Sequence, residues 1–210
     1  MCSRAIPIVF ISLLLLTGCS EIPPHGPMPL EYRPAVKPLS GGEPAVALYL
    51  LRDLRHQHDG TVRHESYLGF VIERPYEGKG QPLYANERAA VTATRALAEG
   101  LKARGFPVVD RTSRIFRAGD EAGGARLALV GEVHRLGFSR REEASCVLRL
   151  ELREIESGKK LWEKSFSSQA PIEGPGGLPT LAAAAVSEAL SKTVDDAVMD
   201  RELTDLLTGS

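Results

Sequence analysis

Between residues 144 and 153 the chain alternates strictly. Ala144, Cys146, Leu148, Leu150 and Leu152 are small or apolar, and Ser145, Val147, Arg149, Glu151 and Arg153 stand between them. A period of two sends the two sets to opposite faces of a β-strand, so one face is buried and the other mostly wet. Ser157-Gly158 turns the chain, and residues 161–168 return. Register can be argued from the two aromatics on the return. A two-residue loop over Ser157-Gly158 would set Arg153 opposite Trp162 and leave Trp162 and Phe166 in water. A shift of one residue puts both rings on the face of Leu148, Leu150 and Leu152. Burying two aromatics is worth several kcal/mol. An odd-length loop is therefore expected, with Gly158 in the left-handed bulge position.

The rest of the globular part is built around this hairpin. Residues 45–54 and 66–73 read as strands. Residues 126–138 read as another, bent or bulged at Gly131 or Gly137. Residues 86–104 carry apolar positions at three- and four-residue spacing and predict a helix. Asn86 would cap its start, and Gly105 would stop it. Phe106-Pro107-Val108-Val109 re-enters as a short strand, and residues 112–125 form a loop. A last helix runs from 181 to about 199 behind Thr180 as its cap, with a short amphipathic continuation at Leu203, Leu206 and Leu207. This order predicts an α+β layer structure: one mixed, largely antiparallel sheet with two main helices packed on one face.

Ahead of the globular part, residues 20–44 hold Pro23, Pro24, Pro27, Pro29, Pro34, Pro38 and Pro44. Such a segment has little to bury and leans to an extended, disordered form. Fully extended at about 3.1 Å per residue it would reach roughly 75 Å. It reads as a spacer in preference to a proline-rich recognition motif. At the start, Arg4 and the apolar run 6–16 form a secretory signal, too short to cross a bilayer as a helix. Leu16-Thr17-Gly18-Cys19 closes that run and resembles the bacterial lipobox at all four positions. The resemblance implies a diacylglyceryl group on the Cys19 thiol, cleavage before Cys19 and an N-acyl chain on the new amine, palmitate being the usual acyl group. Several acyl chains anchor a protein stably where one does not. Ser20, in place of the aspartate that marks inner-membrane retention, implies the inner leaflet of the outer membrane, facing the periplasm. The expected organisation is a signal peptide at 1–18, a lipidated Cys19 with a disordered tether at 19–44, and one domain at 45–210.

With 26 basic and 27 acidic residues the chain has a formal charge of −1. That balance argues against a nucleic-acid partner and against a polybasic hold on anionic lipid. Once Cys2 leaves with the signal and Cys19 takes lipid, Cys146 is alone, so no intramolecular disulfide can form.

The segment Gly105-Phe106-Pro107-Val108-Val109 followed by Leu129-Val130-Gly131-Glu132-Val133, and the turn Glu156-Ser157-Gly158-Lys159-Lys160-Leu161-Trp162, resemble patterns of small envelope lipoproteins. These are the YajG-like lipoproteins, the LpoB-like penicillin-binding-protein activators, the curli secretion lipoproteins and TolB N-terminal domains. The likeness spans about residues 45–200 and rests on turns and core positions. It implies the fold and no catalytic residues.

The candidate sites are few. His56, His58 and His64, with Asp59, have the ligand types for a metal or line a solvated loop. His134, two residues from Glu132, has the pairing of an oriented base or of a satisfied half-buried histidine. Cys146, on the predicted core face, reads as a buried hydrophobe. Arg149, Glu151 and Arg153 form either a solvated sheet face or a surface that docks a partner protein. The segment 173–177 lacks the Lys-Ser/Thr of a phosphate loop. The residues point to a non-catalytic, lipid-anchored accessory module of an envelope machine serving transport, outer-membrane assembly or peptidoglycan synthesis. They call for no cofactor beyond the lipid on Cys19. The alternatives are a carrier with a pocket between helices and sheet, and a metal enzyme around the three histidines.

Overall fold

The alternating segment is β7 (Glu143–Glu154), a central strand of a six-stranded sheet in a computed structural model that describes residues 26–39, 44–58, 64–71, 80–139 and 143–209. It pairs antiparallel with β6 (Leu127–Ser139) on one side and with β8 (Lys160–Pro171) on the other. Leu152 stands opposite Trp162 and Leu148 opposite Phe166, and both rings are buried. The register is the expected one, but it is reached differently. Glu154 and Lys159 close a four-residue turn, an even length, and Leu161 bulges out to restore the frame. Gly158 takes the left-handed conformation at φ 70°, as that turn requires.

The other half of the sheet is parallel. β1 (Val46–Tyr49) lies between β5 (Val108–Arg111) and β6, and the short β2 (Arg52–Asp53) pairs with β6 further along. The single strand expected at 45–54 is interrupted because two amides leave the ladder. Leu50 N–H donates to the Arg114 carbonyl, and Leu51 N–H to Thr94 Oγ1. β6 bulges at His134, where Val133 faces Leu148 and Arg135 faces Val147. The bulge falls at neither Gly131 nor Gly137. Gly137 instead allows close approach: a Cβ there would sit 2.1 Å from the Leu68 carbonyl oxygen.

The strand expected at 66–73 does not join the main sheet. β3 (Tyr67–Val71) pairs with β4 (Gln81–Tyr84) as a separate two-stranded ribbon, and residues 72–73 lie outside the described residues. Arg55, in the short α1 (Arg55–His58), fastens this ribbon to the sheet. It is 2% exposed, and all five of its N–H groups are matched. Nε and one Nη2 hydrogen go to the Asp53 carboxylate. The remaining three go to the carbonyls of Tyr67, Leu136 and Glu65.

α2 (Ala89–Arg104) and α3 (Leu178–Val198) cover one face of the main sheet and touch each other. Their alanines (Ala93, Ala96, Ala182, Ala185, Ala189) let the backbones sit close to Leu48, Leu129, Leu150 and Trp162 in one core. α2 begins three residues after Asn86, with Arg88 at the cap position and no side-chain cap. α3 begins before Thr180, after Gly177 and with Pro179 in its first turn, where the missing N–H costs nothing. Gly105 ends α2 at φ 112°, its N–H turned back to the Leu101 and Lys102 carbonyls. α4 (Arg201–Thr208) is capped by Asp200, which accepts from Leu203 N–H, and buries Leu203 and Leu207. On the opposite sheet face, residues 112–126 cover Ala47, Tyr49 and Ala128, with Phe116 set edge-on to Tyr49 at 5.3 Å.

The proline-rich segment corrects the expectation of a disordered tether in its middle part. Residues 26–39 lie along the outer side of the helices. Met28 pairs parallel with Ala85, exchanging bonds with the Tyr84 carbonyl and the Asn86 N–H. Glu31 N–H donates to Ser187 Oγ, Arg33 N–H to Ser191 Oγ and Ala35 N–H to Asp195 Oδ2. Leu39 N–H reaches the Arg104 carbonyl. The spacing explains the fit. Two extended residues advance about 6.2 Å, and four helical residues advance about 6.0 Å. Every second strap amide therefore meets every fourth α3 side chain. One step back in this register, Pro29 has no N–H to give and Ala183 no oxygen to receive it.

Candidate functional site

Arg149, Glu151 and Arg153 are brought together on the outward face of β7, as their spacing requires, and neighbouring strands complete a charged lattice around them. On β6, Glu132 stands directly opposite Arg149, and on β8, Glu163 stands opposite Glu151. The Arg149 guanidinium bonds Glu163 through Nε at 2.5 Å and lies 3.9 Å from Glu132. Arg52 and His134 Nε2 close on the same Glu132, the latter at 3.0 Å. Arg153 bonds Glu151 at 2.8 Å and the Gly158 carbonyl at 3.1 Å. Lys160 pairs with Glu163. Hydrogen bonds from Lys160 and then Arg149 hold the Glu163 carboxyl below the usual glutamate value, and the same Glu163 raises Arg149.

These pairs are partly open to water, where an ion pair contributes about 0–1 kcal/mol. Exchanging them for pairs across an interface therefore costs little. Chemically the face offers fixed charges of both signs in a fixed pattern. His134 belongs to this lattice as a neighbour of Glu132.

Of the candidate metal ligands, the side chains of His56 and His64 are among the described residues. His56 is exposed on α1; His64 is exposed, its Nδ1 2.8 Å from Ser66 Oγ and its ring against Tyr84. The His58 side chain and Asp59 lie outside the described residues. Among the described residues no group of three His, Cys, Asp or Glu is placed to hold a metal. Cys146 is fully buried, and that burial pushes its thiol up to about 12. Cys19 precedes the described residues.

Sequence reasoning missed the seat of the strap. Asp195 is buried on α3 and accepts from Tyr32 Oη at 2.7 Å and from the Ala35 amide. Burial and the Asp195 carboxylate raise the Tyr32 hydroxyl far above its ordinary value, so it stays a donor. Tyr32 reaches Asp195 across Gly100 of α2, where a Cβ would lie 2.7 Å from the hydroxyl. Between strap and helix runs a cleft of about 590 Å³ lined by Met28, Pro29, Arg33, Ala183, Ala184 and Glu188 among others. A second cleft of about 490 Å³ lies between β8 and α4, beside the Lys164–Asp200 pair. The signals for the strap were present. Met28, Leu30, Tyr32 and Val36 alternate with Pro29, Glu31, Arg33 and Ala35, and Ser187, Ser191 and Asp195 share one helical row. No helix among the described residues is long and apolar enough to cross a membrane.

No family model and no curated protein matches the sequence. The fold is similar to that of the protein XCC0632 from Xanthomonas campestris, of the family DUF330, at 15% identity over 86% of this chain and 95% of that one, with a TM-score of 0.58. It is also similar to that of an uncharacterized protein at 8% identity over 84% of this chain and 99% of that one, TM-score 0.51. A lipoprotein of Neisseria meningitidis, GNA1162, aligns at 15% identity over 71% of this chain and 99% of that one. Its TM-score of 0.30 is too low to bear on fold or function. At these identities the likeness to the first two is one of fold: a mixed sheet with its helices on one side.

Proposed function

We propose that this chain is a lipid-anchored, periplasm-facing lipoprotein, modified at Cys19, that serves an envelope machine as a non-catalytic interaction module. Its domain is of the kind the YajG-like and LpoB-like patterns imply, and its seat is the inner leaflet of the outer membrane. The observation that carries this reading is the partly exposed lattice of Arg52, Glu132, Arg149, Glu151, Arg153, Lys160 and Glu163 on the outer face of β2, β6, β7 and β8. Low-cost exchangeable pairs in a fixed pattern select a partner by charge complementarity. Leu16-Thr17-Gly18-Cys19 supports the anchor. Photo-crosslinkable residues at positions 149, 151 and 153 in cells should trap one envelope protein. Adducts only from a probe at Ile115, exposed on the loop that covers the other half of this face, would count against the charged lattice as the docking surface. Cys19→Ser should move the protein to the soluble periplasmic fraction.

A carrier function is the second reading, and one observation favours it. The cleft of about 590 Å³ between strap and α3 falls within the usual range for small-molecule sites. It lies outside the helices, not between helices and sheet as the sequence led one to expect. Native mass spectrometry of protein extracted from membranes should then show one copurified lipid or small molecule bound, lost on Ala184→Trp.

A further inference from the structure

The β3–β4 ribbon presents an aromatic outer face. A bulge between Tyr67 and Gly69 changes the strand frame, so that Tyr67 pairs with Tyr84 and Phe70 with Pro82. All four side chains therefore share the face turned away from Leu68, Val71 and Leu83, which are in the core. Phe70 is 47% exposed and lies across Gly80. The Tyr67 and Tyr84 rings are partly exposed, meet at 6.0 Å, and His64 stacks edge-on against Tyr84. None of the four carries a charge.

The strap ties this face to the anchored end of the chain. Met28 pairs with Ala85 in the parallel sense, so Gly26 and Pro27 run beside β4 toward Gln81 and away from Ala85. That is the direction of Phe70 and Pro82, which lie about 10 Å from Ala85 along the strand. From Gly26 back to Cys19 there are seven residues, which span at most about 25 Å. A lipidated Cys19 thus holds a bilayer surface within reach of the ribbon, at high effective concentration. Tyrosine and phenylalanine, with apolar rings and in tyrosine a polar tip, are the side chains suited to the headgroup boundary.

We infer that the outer face of the β3–β4 ribbon, through Tyr67, Phe70, Pro82 and Tyr84, rests on the lipid surface to which Cys19 is anchored. The inference rests on the Cys19 reading. This second contact fixes the orientation of the domain, with the ribbon down and the charged sheet lattice free.

The test uses the full lipidated protein in vesicles of phosphatidylethanolamine and phosphatidylglycerol, with and without brominated acyl chains. Trp162, the single tryptophan, is 5% exposed and gives a constant background. Phe70→Trp adds a reporter on the ribbon. Ile115→Trp adds one at a 65% exposed site on the other side of the sheet. The expected result is a blue shift of the Phe70→Trp emission and loss of most of it with brominated lipid, while the Ile115→Trp emission is unchanged. Flotation is read separately. Protein that floats with the vesicles but shows no bromine quenching at Phe70→Trp overturns the lipid contact and leaves the anchor intact. Protection of Phe70→Trp from aqueous iodide without bromine quenching overturns it in favour of a protein cover. Equal quenching at both sites overturns it as non-specific. Protein that does not float refutes the anchor, and this inference with it.

Discussion

Replacing Arg55 tests how the ribbon is held. Arg55→Met keeps most of the buried stem and removes the guanidinium. It leaves the Asp53 carboxylate only the Arg55 backbone N–H at 3.1 Å, and it takes a donor from the carbonyls of Glu65, Tyr67 and Leu136, of which Glu65 keeps the Ala89 N–H. Breaking a buried charge pair from one side costs about 3–5 kcal/mol. The Asp53 side chain keeps 16% of its surface in water and recovers part of its hydration. The loss should therefore lie near the lower end, about 3 kcal/mol. For a domain of this size that is a fall of roughly 6–12 °C in the unfolding midpoint. Arg55→Lys keeps the charge but offers three donors in place of five and should fall between. Removing both charges, Arg55→Met with Asp53→Leu, no longer leaves a carboxylate unpaired, so its loss should be smaller than the sum of the two single losses. Denaturant titration of the four variants measures this, and hydrogen exchange should show the β3 amides opening first. A loss under about 1 kcal/mol for Arg55→Met, the value of a surface pair, would refute the clamp. So would strict additivity in the double variant.

Three further outcomes follow from the geometry. Gly100→Ala should gain helix propensity of about 1 kcal/mol yet loosen the strap, because its Cβ collides with Tyr32; limited proteolysis within 26–39 should accelerate, and Tyr32→Phe should do the same more mildly. The Cys146 thiol, raised by burial, should resist maleimide and disulfide reagents at pH 8 in the folded protein and react fully in denaturant. Glu163 titrates low in the folded state, so its contribution is complete above the usual glutamate value and is lost as the pH falls through the lower folded value. Side-chain carboxyl shifts should show that low midpoint, and Lys160→Ala should raise it.

The β6–β7–β8 half of the fold was legible because alternation and two large aromatics leave one acceptable register. Even there the turn was reached by another device, since a bulge at Leu161 repairs the frame that an even loop breaks. The starts of α2 and α3 were not legible. Asn86 belongs to the strand-like contact with Met28, and Pro179 and Gly177 serve where Thr180 was expected. The separation of the ribbon from the main sheet was not legible, because it depends on Arg55 and on the tight contact at Gly137, neither of which leaves a periodic trace. The charged lattice around Arg149, Glu151 and Arg153 was half visible, with its β6 and β8 members supplied by pairing. Prolines hid the strap, since their number suggested disorder while the alternation of Met28, Leu30, Tyr32 and Val36 ran through them.

The matched pitches of strap and α3 carry a hazard that the same residues remove. Two combs of equal tooth spacing can mesh one notch out of place. Slipped one way, Pro29 would face Ser187 with no hydrogen to offer. Slipped the other way, Pro34 would take the place of Tyr32 and leave the buried Asp195 without its phenol, and Leu30 would leave its pocket. The prolines and the single tyrosine thus act as keys in a lock. They fix at a single value how many residues of the chain precede the first bond of the strap, at Met28.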